Sequence, residues 1–464
     1  MNTSTIIGMA LAVCLAAAGP SLAQAPPPAG PVTIQQAVQY AERNYPEVRA
    51  DVAEIAAANS GVALAKTAYL PRTDFHYQVN RATRNNIFGL MFPNDVIAPI
   101  SGPASEGQVG TSTFGTAVGL AFRWEPFDFG LRKANVEVAR RRKATAEAGK
   151  AVTEYEVSLA VTDAFFSVLA AQQAATAARA NVARMDVFLR TVSALAKAEL
   201  RPGADESRAR AELARARSEL IAAERREREG RLNLGRWMGL AGQQIEVAAG
   251  ALLAEPPPPD QAAADFARHP IAAAQAARVD EARARRRSIA KEYRPKFEVL
   301  SSVYGRGTGA SLDGTFQGGG HGLYPNTGNW AVGLGLSFAI FDYQQNRKRQ
   351  EVETHQETAA AARLDTLVEQ LKSEAAKARA DIDAARQVAA LTPEELEAAR
   401  SLEAQAQARY KAGLGNVVEV ADAQRLLRQA ETKDALARLA IWRALFALAA
   451  AEHNMEQLLA SASK

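Results

Sequence analysis

From Trp330 to Asp342 the chain alternates. Trp330, Val332, Leu334, Leu336 and Phe338 fall on one set of alternate positions, and Ala331, Gly333, Gly335, Ser337 and Ala339 on the other. A strand sends successive side chains to opposite faces. The stretch therefore predicts a strand with one bulky apolar face and one small, weakly polar face. A soluble strand normally carries charged or long polar residues outward. This pattern suits lipid on the bulky side and a crowded or water-filled lumen on the other. Phe114 to Trp124 repeats it, with Val118, Leu120, Phe122 and Trp124 set against Ala117, Gly119, Ala121 and Arg123. Phe75–Val79 and Phe297–Tyr304 predict two further strands. The Gly-, Pro- and Asn-rich stretches Asn80–Thr113 and Gly305–Asn329 predict exposed loops.

The rest is helical in pattern. Thr33 to Tyr69 predicts helix, with Pro46 as a kink or a new first turn. Leu131 to Leu200 and Asp205 to Trp237 predict a hairpin broken at Arg201-Pro202-Gly203. After a stiff linker from Glu255 to Pro259, Ala262 to Tyr293 is helical again. Helix from Asp342 to Lys411 and helix to about Leu459 flank Gly413-Leu414-Gly415. Thr392-Pro393-Glu394-Glu395 predicts a kink or local restart in the first of these.

The order occurs twice. Pro46 and Pro270 are separated by 224 positions, as are Pro71 and Pro295. Phe127 and Phe341 are separated by 214, and Gly203 and Gly413 by 210, which predicts long helices differing by four residues. Repeats decide architecture. The expected organisation is a signal peptide at 1–23, a first repeat at 24–255 and a second at 256–464. The first holds a strand hairpin at 72–124 and a helical hairpin at 131–238; the second holds them at 297–341 and 343–459. The long helices, drawn straight, span roughly 110 Å and must pack lengthwise on others. Four strands with a lipid face cannot stand alone, because open edges leave backbone groups unpaired in hydrocarbon. A membrane barrel needs about eight strands or more, so the barrel is expected to be shared between identical chains.

Composition narrows the chemistry. The 55 basic and 51 acidic residues nearly balance, at net +4, and read as solvated helix faces. The apolar run Ile6–Ala18 followed by Gly19-Pro20-Ser21-Leu22-Ala23 predicts export with cleavage after Ala23 or Ala25. Cys14 is the only cysteine, and Leu11-Ala12-Val13-Cys14 only faintly resembles a lipoprotein box. Beyond the leader no run of 18 uninterrupted apolar residues exists, so any membrane span must be made of strands. The five histidines His76, His269, His321, His355 and His453 lack metal-ligand spacing. The Gly clusters at 305–309 and 318–320 open no helix and lack a phosphate-loop lysine. The basic runs Arg140–Lys143 and Arg283–Arg287 sit beside acidic residues on helices and predict no nucleic-acid partner. No catalytic residue, metal or cofactor is expected.

The duplicated order, the paired ends Tyr69-Leu70-Pro71-Arg72 and Tyr293-Arg294-Pro295-Lys296, the paired Phe-Asp positions and Arg409-Tyr410-Lys411-Ala412-Gly413-Leu414 resemble the TolC-like outer membrane factor family. The resemblance covers nearly all of the mature chain. It implies a mixed fold, a membrane β-barrel continued by a long α-helical coiled-coil barrel. Each chain supplies four strands in two structural repeats to a twelve-stranded barrel shared by a homotrimer in outer membrane lipid. It further implies that Tyr410, Gly413 and Leu414 form one periplasmic tip that meets an adaptor protein, with Gly203 at the other tip. It places Glu419 and Asp422, three apart on one helix face, at a periplasmic gate. The implied function is the exit duct of a tripartite efflux system with an inner-membrane pump. A protein-secretion duct is the alternative within this class, and a periplasmic coiled-coil scaffold or adaptor the alternative outside it.

Overall fold

A computed structural model describes residues 26–28, 30–83, 112–254, 256–258, 265–309 and 319–463. The expected signal peptide, Glu255 and Pro259 of the linker, and most of the Asn80–Thr113 loop lie outside the described residues. The chain divides into two compact units, and each draws on both sequence repeats.

One unit, Glu54–Glu147 with Gln275–Leu364, holds the sheet. Strands β1 (Arg72–Thr83), β2 (Ser112–Phe127), β3 (Lys296–Thr308) and β4 (Thr327–Ser337) form one antiparallel sheet in chain order. β3 and β4 reach several residues into the stretch expected to be loop. β4 also ends earlier than Asp342, where Ile340–Asp342 form a single 3-10 turn. Directly opposed residues share a face. Phe75 opposes Leu120, Leu120 opposes Val303, and Val303 opposes Trp330. Parallel rows set Phe122 by Val332, separated by Ser301, and Trp124 by Val299 and Leu334. Across a bulge, Phe127, Phe297 and Leu336 make the last row. The other face carries Asp74–Ala121–Ser302–Ala331 and His76–Gly119–Tyr304–Asn329. The apolar face is uncovered within the chain: Trp330 is 77% and Leu334 86% exposed.

Each strand end is jointed to a helix, and the two joints differ. In the first repeat Asp128 accepts from the backbone N–H of Gly130 (3.1 Å) and Arg132 (2.6 Å). Arg132, at the start of helix α3 (Leu131–Lys197), pairs back to Asp128 at 2.9 Å. It also donates to the Ala68 carbonyl (3.3 Å), with its guanidinium 5.0 Å from the Tyr69 ring. In the second repeat Asn346 stands 214 positions after Arg132 and donates instead to the Ile289 carbonyl (2.8 Å).

The other unit comprises Met1–Ala53, Ala148–Ala274 and Asp365–Lys464. It opens with α1 (Ile34–Asn44), started by a capping box between Thr33 and Gln36. Tyr45 is extended, as the residue before proline tends to be, and Pro46 is the first residue of α2 (Pro46–Thr67). Pro46 therefore begins a new helix and does not bend an old one. α3 runs to a turn and returns as α4 (Gly203–Trp237). After α5 (Pro270–Glu292), α6 (Tyr343–Lys411) and α7 (Val417–Ala451) repeat that hairpin, and α8 (Met455–Ala462) closes the chain. Helix α5 starts at Pro270, later than expected. α6 continues through Pro393 with no restart. The main core packs Ile34 and Val38 of α1, Phe165 and Phe166 of α3, and Trp442 and Phe446 of α7. An 18-residue stretch of α3 is apolar enough to cross a membrane by composition, but half of it is buried within the chain, as in a core helix.

Candidate functional site

The two hairpin ends lie in the helical unit. At the end of α6, Gly413 has φ +83°, and the Leu414 N–H donates to the Arg409 carbonyl at 2.9 Å. At the end of α3 the same closure is made by Glu199, φ +59°, with the Leu200 N–H on the Leu195 carbonyl at 3.0 Å. This six-to-one bond with a left-handed residue is the Schellman stop. Glu199 and Gly413 are separated by 214 positions, the offset that also relates Phe127 to Phe341. The expectation that Gly203 matches Gly413 is therefore displaced by four residues, and the long helices, expected to differ by four, have 67 and 69 residues. Gly203 is the first residue of α4, matching Val417 of α7, and both helices have 35 residues. Sequence reasoning followed the glycine. The backbone placed the left-handed turn on a glutamate, at a cost of about 1 kcal/mol.

A set of side chains fastens one hairpin end to the other. Tyr410 is 1% exposed, and its ring meets Phe188 of α3 edge-on at 5.5 Å. Its hydroxyl donates to Asp205 of α4 at 3.2 Å. Arg201, in the first turn, donates to the Tyr410 carbonyl (2.6 Å) and the Gly415 carbonyl (3.2 Å). Its guanidinium lies 4.6 Å from the Tyr410 ring. Burial, with the Asp205 carboxylate next to it, pushes the Tyr410 hydroxyl up to a pKa of about 12, so it remains a donor across the physiological range. Beneath these contacts a small core joins Phe188, Val192, Leu213, Tyr410, Val417 and Val420. Leu200 and Leu414 point away from it, 70% and 72% exposed.

Glu419 and Asp422 share the exposed side of the first turns of α7. Asn416 caps that helix by accepting from the backbone N–H of Val418 and Glu419. Each carboxylate has an arginine: Arg409 lies 3.9 Å from Glu419, and Arg425 2.9 Å from Asp422. An arginine thus stands near each carboxylate to offset part of its charge. Of the expected site residues, the structure brings Tyr410, Gly413, Leu414 and Glu419 together around one turn. Trp330, Val332, Leu334 and Leu336 lie on the apolar sheet face, and Phe338 just beyond the strand. Arg201, Asp205 and Glu199 were not anticipated. No group of three or more His, Cys, Asp or Glu side chains able to hold a metal occurs among the described residues.

A model of the outer membrane efflux protein family matches residues 37–240 and 266–452. The chain belongs to this family. Outer membrane efflux proteins are channels and not enzymes, so this one is an exit duct in the outer membrane with a helical tunnel in the periplasm. Its duplication appears in the match itself, which has two segments. The OprN outer-membrane channel shares 18% identity over 91% of this chain and 90% of its own, at a TM-score of 0.71. The Campylobacter jejuni CmeC outer membrane channel shares 12%, over 91% and 85%, at 0.71. The Neisseria gonorrhoeae MtrE channel in its open state shares 18%, over 93% and 89%, at 0.69. At these identities the likeness is one of fold. No curated protein matches the sequence closely.

Proposed function

We propose that three copies of this efflux protein close one twelve-stranded barrel, and that the duct is gated at its hairpin ends. The observation that carries this reading is the sheet. β1 and β4 each have a neighbour on one side only, and the face bearing Trp330, Val332, Leu334 and Leu336 is uncovered. Unpaired backbone is costly in hydrocarbon, and copies joined edge to edge remove both open edges. Lipid then covers the apolar face, with Phe338 at its border.

The gate is the junction fastened by Tyr410, Asp205 and Arg201. Glu419 and Asp422, repeated in each copy, line the narrowed mouth, with Arg409 and Arg425 offsetting part of their charge. A periplasmic adaptor docks on the tips around Leu200 and Leu414, and an inner-membrane pump supplies the energy. The left-handed Gly413 shapes the second tip. Substrate choice belongs to the pump, since a water-filled duct discriminates weakly.

Native mass spectrometry and planar-bilayer recording of the detergent-extracted protein test this. The expected result is a mass of three chains and a small unitary conductance. That conductance rises when Glu419 and Asp422 are both replaced by Ala. A monomer without conductance would overturn the reading.

A further inference from the structure

Beside the β3–β4 strand ends lies a cavity of about 970 Å³, ample for a small ligand. Its lining includes Tyr293, Phe338, Arg294, Lys296, Asp342, Asn346 and Arg349. The internal duplication shows one group that this place lacks. In the first repeat the Arg132 guanidinium is held by Asp128 and lies over Tyr69. Asp342 and Asn346 follow Asp128 and Arg132 by 214 positions, and Tyr293 follows Tyr69 by 224. Asn346 is too short to reach where a guanidinium would, and it is spent on the Ile289 carbonyl. The second repeat therefore keeps the carboxylate and the ring but lacks the cation between them. Tyr293 is held in place by Phe338 and Tyr343, at 5.0 and 5.6 Å, and by its hydroxyl on the Ile340 carbonyl at 3.1 Å.

The neighbouring charges and surfaces say what could supply that cation. Among the described residues Asp342, Arg294 and Lys296 make no ion pair, and Arg349 meets Glu292 only at 3.4 Å. The cavity wall thus includes the unpaired Asp342 carboxylate, the Tyr293 ring, the unpaired Arg294 and Lys296, and Arg349 shared with Glu292. The apolar sheet face also continues past the last strand residue into Phe338, Ile340 and Phe341, the last 94% exposed. Aromatic side chains at a barrel rim mark the level of lipid headgroups.

We propose that this cavity seats the headgroup of a phospholipid that carries both a phosphate and a primary ammonium. The ammonium takes the place of the missing guanidinium, against Asp342 and over Tyr293. The phosphate lies at Arg294 and Arg349, beyond the strand ends; Lys296, paired with Ser337, belongs to the opposite sheet face. The acyl chains run along Leu336 and Leu334. This rests on the reading of the apolar face as lipid-covered, and it assigns that face a particular lipid at its periplasmic edge.

The test uses the full chain in detergent, with thermal midpoint and native mass spectrometry as readouts. Phosphatidylethanolamine, phosphatidylcholine and phosphatidylglycerol are added separately. Phosphatidylethanolamine is expected to raise the midpoint by several degrees and to stay bound. The other two, lacking either the primary ammonium or any cation, are expected to do so several-fold less well. Asp342→Asn should erase the preference while leaving residual binding. Asn346→Arg, which rebuilds the clamp of the first repeat, should occupy the place of the ammonium and remove the preference for phosphatidylethanolamine from a protein that still folds. Equal response to the three lipids, or an unchanged preference in Asp342→Asn, would sink the proposal. Failure to enter detergent micelles or membranes at all would instead count against the lipid-covered face.

Discussion

Tyr410 and Asp205 meet through a single hydroxyl, and that contact is a discrete place to cut. Hydrogen bonds to charged groups contribute about 1.5–3 kcal/mol, and Asp205 is open enough to water to take back part of that. Tyr410→Phe keeps the buried ring and removes only the bond. It should therefore weaken the closed state by roughly 1 kcal/mol and raise open occupancy several-fold. Arg201→Ala removes two bonds to carbonyls and a ring contact, and should do more. Single-channel recording checks both. Open times equal to wild type in the two variants would mean the hairpins are fastened elsewhere. His269 gives a second test at this scale. It is fully buried, accepts the Ile271 N–H at Nδ1 (3.3 Å), and donates from Nε2 to the Ala450 carbonyl (3.2 Å). Burial first, and the nearby His453 in lesser part, hold its pKa below the ordinary value of 6.5, against the opposing Ala450 bond. The folded state thus prefers the neutral ring. Its contribution is complete above pH 6.5 and drains away as pH falls from there through the lowered folded value. The thermal midpoint of wild type should drop across that window. His269→Gln should be less stable throughout and show a flatter slope, as read by circular dichroism.

At the scale of elements, the strand faces were legible because alternation is local and the register merely aligned them. The turn at Glu199 was not. Nothing in a glutamate announces a left-handed backbone, and Gly203 four residues on offered a false cue. The fastening by Arg201 was also beyond sequence reasoning, since Arg201 and Tyr410 are more than 200 positions apart and meet only once both hairpins are packed. Pro393 falls between these cases. Its sequence announces a break, yet α6 runs through it. Pro393 cannot donate to the Ala389 carbonyl. The Thr392 hydroxyl lies 3.3 Å from that oxygen and 2.8 Å from the Asp434 carboxylate of α7. Packing against α7 thus overrides a local cost of about 3 kcal/mol. Pro393→Ala should restore the missing bond and raise the unfolding midpoint, by less than that full amount because Thr392 already offsets part of it. A lowered midpoint would show that the proline sets a bend the helical unit requires.

For the whole molecule, the offset of 214 has a consequence at the tips. It relates Glu199 to Gly413, Leu200 to Leu414, and the left-handed Gly239 to the left-handed His453. The two hairpins therefore turn and end in step, although α6 begins two residues earlier than that offset places it, and they present a leucine at the same place on each tip. Both leucines are uncovered, which a helix end has no intrinsic reason to arrange. Three copies would present six such leucines, of two alternating kinds, because the turns beneath them differ: glutamate and arginine on one, glycines on the other. If both kinds dock the adaptor, Leu200→Asp and Leu414→Asp should each lower export, and the double variant should abolish it. Neither should change the mass of the trimer, since neither side chain joins the small core around Phe188 and Tyr410. The measurement is drug or dye efflux from cells, with trimer abundance followed in the same membranes. Loss confined to Leu414→Asp would assign docking to the glycine-bearing tip and leave the Glu199 turn to Arg201 and the fastening of the gate.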